Sequence, residues 1–135
     1  QDFSTSNVDA IKYFSGNMLY TASFEVDRAA GKGEDIYLNL GEVNKMAKVW
    51  VNDLYVGGVW TPPYRVNITT ALKQGSNRLR IDVVNTWVNR MIGDQTLPKE
   101  KRETWSGMNP YNPDSKLQKS GLIGPVQLEY VPNFK

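Results

Sequence analysis

Five residues of this 135-residue chain have the types and spacing to grip a sugar: Trp60, Tyr64, Trp87, Asn89 and Arg90. Sugar rings present flat C–H faces, and Trp and Tyr present flat, electron-rich ones. A site for them pairs one or two exposed aromatics with amides or guanidinium groups that bond hydroxyls. All five fall at strand ends or in loops, where such a site can form. A plainer reading stands beside this one. Trp60 and Tyr64 would cover the end of a sandwich and pack on Pro62 and Pro63, since aromatics fill cores and covers more often than they hold ligands. Asn89-Arg90-Met91-Ile92-Gly93-Asp94 likewise has a structural reading: Arg90 reaches backbone carbonyls or a carboxylate such as Asp94, because a long loop needs internal polar anchors. Trp50 lies on the outward parity of its strand. It is either a contact surface or the resting place of the long segment 86–120.

Other chemistries are excluded or unmarked. The chain has no His and no Cys, so the usual zinc ligand sets and the Ser-His-Asp and Cys-His nucleophile systems are absent. No phosphate-binding glycine loop lies between a strand and a helix. Catalysis would have to rest on carboxylates, Tyr, Lys or Ser. A glycosidase needs two carboxyl groups roughly 5–9.5 Å apart, and none of the 14 acidic residues stands in a distinctive motif. Asp82 and Glu129 are on wet strand faces. No catalytic residue is assigned, and no cofactor. Asp27, Glu34 and Asp35 could hold a structural calcium through loop oxygens, but their spacing is uninformative and no metal site is assigned. The 16 basic residues are scattered, and the net charge is +2, which points away from nucleic acid. The apolar runs are too short to cross a bilayer. Gln1-Asp2-Phe3 does not open a signal peptide; one could have been lost in processing, or the chain could be a piece of a longer protein. Absence of cysteine fits a periplasmic or a cytosolic setting alike.

The elements that must position these residues read as strands. Leu79, Ile81 and Val83 alternate with Arg78, Arg80 and Asp82, the period of a strand with one buried face. Ala47, Val49 and Val51 do the same against Lys48 and Trp50. Asn52-Asp53 then suits a tight hairpin into Leu54–Trp60, which Pro62 and Pro63 end. Tyr64–Ile68 is extended, and Thr69 caps a short turn through Leu72 that Gly75 stops. Upstream, Tyr20, Ala22, Phe24 and Val26 alternate with Leu19, Thr21, Ser23 and Glu25 after a turn at Ser15-Gly16-Asn17. Ile36, Leu38 and Leu40 point inward after a second turn at residues 29–33. Val126, Leu128 and Tyr130 close the pattern. Residues 1–10 read as a linker or leading arm, poorly ordered, and 11–135 as one domain. Residues 86–120, with Trp87, Trp105 and Tyr111, show no sustained period and read as a long loop that is functional or packed against something. The expected fold is all-β: a jelly-roll sandwich of about eight antiparallel strands in two facing sheets.

The hairpin beginning Val49-Trp50-Val51-Asn52, then Pro62-Pro63-Tyr64-Arg65-Val66-Asn67-Ile68-Thr69, then residues 72–85, resembles the sugar-binding β-sandwich of family 2 glycoside hydrolases. That domain belongs to the galactose-binding-like group. Trp87–Asp94 and Ser120–Val126 narrow the resemblance to the C-terminal sandwich of large bacterial α-L-rhamnosidases of glycoside hydrolase family 106, over roughly residues 11 to 131. The resemblance implies a galactose-binding-like fold, with the catalytic acids on a separate barrel domain. It implies a non-catalytic accessory domain whose partner is the catalytic domain of the same parent enzyme, with contact to an oligosaccharide substrate as a further expectation. The alternatives are an autonomous carbohydrate-binding module and a protein-interaction domain of a cell-surface assembly. The expected location is periplasmic, secreted or on a bacterial cell surface.

Overall fold

Alternating apolar residues build two facing sheets, as their period demands. The computed structural model describes residues 1–104 and 109–133; Trp105 lies outside the described residues. The larger sheet holds β1 (Gly16–Val26), β7 (Gly75–Asn85), β4 (Met46–Val51) and β5 (Leu54–Val59) in that order. The smaller holds β6 (Arg65–Asn67), β2 (Glu34–Asn39) and β9 (Gln127–Pro132). A two-stranded ribbon, β3 (Glu42–Val43) with β8 (Leu122–Gly124), was not legible as alternation because each piece is too short to show a period. All pairings of named strands are antiparallel.

The inward columns meet as read from the sequence. Ile36, Leu38 and Leu40 from one layer pack with Ala47, Val49, Val51, Ile81 and Val83 from the other. Each such side chain taken out of water contributes about 1.5–3 kcal/mol, and no disulfide is involved. Asn52 and Asp53 both adopt positive φ, at 51° and 65°, as a two-residue hairpin of this twist requires.

Three expectations are corrected. β1 begins at Gly16, inside the expected turn. The first ten residues do not hang free: the Gln1 amine donates to the Leu122 carbonyl at 2.6 Å, the Phe3 N–H to Ser120 at 3.1 Å, and Asp2 accepts from the Ser120 N–H at 3.1 Å. Polar composition suggested an arm in solvent, but its polar groups are the ones that bind it down. Thr69 does not cap the turn after β6; its hydroxyl accepts the Ile36 N–H at 2.9 Å, and the carboxamide of Asn67 takes the Thr69 N–H at 3.0 Å instead.

A short helix, α1 (Asp9–Lys12), precedes β1, and segment 86–120 contains another, α2 (Val88–Asp94), with a 3-10 turn at Lys99–Lys101. Hydrophobic periodicity missed α2 because its buried residues include Asn89, Arg90, Gly93 and Asp94.

Candidate functional site

The register of the larger sheet decides where the tryptophans stand. Val59 lies across from Ala47, and Ala47 across from Val83. β5 and β7 therefore leave the sheet at the same end, two strand spacings or about 10 Å apart. Trp60 directly follows β5, and Trp87 follows the end of β7 by two residues. Both are open to solvent, 67% and 60% exposed. Tyr64 differs: it is half-buried against the core, and its carbonyl takes the Leu40 N–H at 2.7 Å.

Asn89 and Arg90 sit just behind Trp87 with their side chains turned inward, 3% and 9% exposed. The Asn89 carboxamide bonds both backbone groups of Gln118, donating to its carbonyl at 2.6 Å and accepting from its N–H at 2.7 Å. Arg90 holds Asp94 one helical turn on through two nitrogens, each at 3.1 Å, and its third nitrogen lies 3.6 Å from Glu103. Burial works to raise the Asp94 pKa, but the Thr104 hydroxyl and N–H, the Glu103 N–H and the Arg90 charge together bring it below the ordinary value. Asn109 donates to the Met91 carbonyl at 3.0 Å. These bonds lash the segment after α2 onto the helix, so the polar groups of Asn89 and Arg90 are engaged within the protein. α2 itself rests on Tyr13, so closely that a Cβ on Gly93 would fall within 2.8 Å of the Tyr13 Cβ.

A second surface lies on the outer face of the larger sheet. Thr21, Arg80, Trp50 and Tyr55 form one row across β1, β7, β4 and β5. The Arg80 guanidinium lies over the Trp50 ring at 4.1 Å, and Tyr55 leans against the indole with centroids 5.3 Å apart. Trp50 is thus covered by its own sheet neighbours. Arg78 pairs with Asp53 beside this row. With Ser23 they line an open groove of about 410 Å³. Strand parity marked Trp50 as outward; Arg78, Arg80 and Asp53 were read only as wet-face and turn residues, because such places carry charges in any case, and Tyr55 only as part of its strand.

The pattern of the family described as glycosyl hydrolase 2 galactose-binding domain-like matches residues 2–119. A rhamnosidase from Novosphingobium sp. PP1Y superposes with a TM-score of 0.89 at 43% identity, over 96% of this chain and 12% of that one. A Formosa agariphila protein named as a candidate β-glucuronidase is 31% identical over 95% of this chain and 13% of its own length. A Lactobacillus rhamnosus β-glucuronidase shares the fold alone, with a TM-score of 0.53 at 23% identity over 62% of this chain and 14% of that one. The chain thus spans about an eighth of the length of the first two.

Proposed function

The chain belongs to the glycosyl hydrolase 2 galactose-binding domain-like family, and from that membership we propose that it is a non-catalytic accessory domain of a larger, α-L-rhamnosidase-like glycoside hydrolase. Its role is to buttress the catalytic domain of the same polypeptide. The observation that carries this reading is the close fit of nearly the whole chain to a small part of a rhamnosidase. Electrostatics agrees with it. A general acid in glycoside hydrolysis needs a raised carboxyl pKa, whereas the shifted carboxyls among the described residues, Asp2, Glu34, Asp94 and Glu129, are all lowered.

The test is deletion of this domain from the parent enzyme, alongside assay of the isolated chain with an aryl α-L-rhamnoside. The expected outcome is no turnover by the isolated chain. The truncated parent should lose about 5 °C or more of thermal stability, the scale of a few kcal/mol of lost interface. Turnover by the isolated chain, or a truncated parent with unchanged melting and activity, would sink the proposal.

A second reading, direct contact with an oligosaccharide, is favoured by the exposure of Trp60 and Trp87 at one end of the sheet. Their flat faces suit stacking, and Asn89 and Arg90 act by fixing the helix that Trp87 leads into. Calorimetry with rhamnose-containing oligosaccharides tests it. Trp60→Ala and Trp87→Ala should each weaken binding about tenfold or more, as loss of an aromatic platform of ~1–3 kcal/mol implies, while Trp50→Ala should not. Flat traces from the wild-type chain remove this reading and leave the buttressing role standing.

A further inference from the structure

The two layers are unequal, and the inequality falls at one place. Four strands face three. β5 lies over β6, so at the opposite side β1 and β9 are both edge strands and face one another across a gap. The inner face of β1 is left uncovered there: Ala22 stays solvent-exposed although it stands on the inward column between Tyr20 and Phe24, both of which pack on the core. Between the two edges runs an apolar cleft of about 510 Å³, with Leu38, Leu79 and Ile81 as its floor and Leu128 on its far wall.

The hydrogen-bond parity of the smaller sheet shows what this cleft can accept. The Ile36 N–H and carbonyl both point toward β6 and the turn after it, bonding Thr69 and Ile68 at 2.9 and 2.8 Å. Ile36 pairs with Tyr130, so this is a pair without mutual bonds, and the Tyr130 N–H and carbonyl point to the free edge. Leu128, two residues away, does the same. The Asn133 N–H, which bonds the Gly33 carbonyl at 2.7 Å, confirms the alternation. Backbone donors and acceptors at a row of inward-facing apolar side chains call for another strand. A glycan or a helix offers no matching ladder.

We infer that a β-strand from the same parent polypeptide, outside these 135 residues, docks beside β9 in this cleft and completes the smaller sheet as a fourth strand. The inference rests on the accessory-domain reading. The strand must join the smaller sheet, because only there does it lie over Tyr20, Ala22 and Phe24; paired on the outer edge of β1 it would leave them bare. Its inward residues should be apolar and alternate with polar ones. Pairing stops near Pro132, which has no N–H to offer. At that end the Arg28 guanidinium covers the Tyr130 ring at 4.5 Å. Two relatives are about eight times as long as this chain, so polypeptide to supply a strand is at hand. The Gln1 amine is fixed on Leu122, itself a lining residue of the cleft.

Hydrogen exchange read by mass spectrometry tests this in the isolated chain and in the parent enzyme. Backbone amides of residues 128 and 130 should exchange at least about tenfold more slowly in the parent, as conversion from a free edge to a paired ladder requires. Ala22→Arg should leave the isolated chain folded, because the cleft gives the new side chain a way out, yet restore fast exchange at 128 and 130 in the parent. Ala22→Ser should change neither. Equal exchange in the isolated chain and the parent overturns the inference while the buttressing role, judged by domain deletion, survives. Slow exchange already present in the isolated chain, rising with its concentration, makes a second copy the occupant and overturns it too. A coding sequence confined to these 135 residues removes both the parent enzyme and the strand, and is read before any exchange is measured.

Discussion

Asn77 shows how a single polar residue holds a turn. It is fully buried on the inward column of β7. Its carboxamide donates to the Lys73 and Gly75 carbonyls at 2.7 and 3.0 Å, and accepts from the Lys73 N–H and the Asn52 side chain at 3.0 and 2.8 Å. Asn52 in turn reaches the Ala71 carbonyl and accepts the Arg78 N–H. Asn77→Ala strips several buried groups of a partner at once. At about 1–3 kcal/mol for each group left unsatisfied, the loss should reach roughly 3 kcal/mol in urea unfolding. Hydrophobic alternation could not find this residue, because the sequence starts its clear period only at Arg78. The Arg90–Asp94 pair, by contrast, was named from the sequence as one way for a long loop to anchor itself, although the helix whose four-residue spacing sets the two on one face was not read. Glu34 gives the pH-dependent case. Its two oxygens take bonds from Arg28 at 2.6 and 3.0 Å and one accepts the Gly31 N–H at 3.1 Å. The Arg28 bonds first, then the Gly31 N–H, lower its pKa from 4.5 to about 2. A lowered carboxyl favours the folded state fully above the unfolded value and loses that contribution as pH falls through the folded one. Stability should therefore decline from pH 4.5 toward pH 2 through this group. Carboxyl NMR titration should place Glu34 near 2, and Arg28→Ala should return it toward its ordinary range; an unchanged midpoint in the variant would refute the assignment to Arg28.

At the scale of elements, most of what the strands do could be read in advance, and the connections could not. β4, β5 and β7 follow from alternation plus one Asn-Asp hairpin. The ribbon of β3 and β8 depends instead on backbone proximity. Gly41 has φ +68°, and a Cβ there would collide with the backbone of Gly124 and come within 2.7 Å of the Pro125 carbonyl oxygen. Backbone cannot swing aside as a side-chain tip can. Gly41→Ala should cost more than about 2 kcal/mol, as overpacking against a rigid neighbour does. Gly75 has a comparable φ of +88° but nothing within 4 Å of the added atom, so Gly75→Ala should cost only the left-handed penalty of about 1–2 kcal/mol. Thermal melts of the two variants compare them directly; equal losses would mean that the crossing of Gly41 and Gly124 imposes no added constraint. The site followed the same division. Trp60 and Trp87 were picked out by their residue type, and both are exposed. The inward turn of Asn89 and Arg90 depends on α2, whose buried face is polar and leaves no hydrophobic signature.

For the molecule as a whole, the order of strands in space departs from their order along the chain. β2, laid down early, sits at the centre of the smaller sheet between β6 and the last strand, β9. Asn39 on β2 donates to Glu129 on β9 at 2.6 Å across 90 positions of sequence. The leading residues close onto Ser120 and Leu122 in the same way. A chain growing from its N-terminus on the ribosome therefore has Ile36 and Leu38 made, and their sheet unfinished, until nearly all the rest of this domain has been translated. The smaller sheet cannot close before β9 emerges, and that interval is when the nascent polypeptide most needs a chaperone.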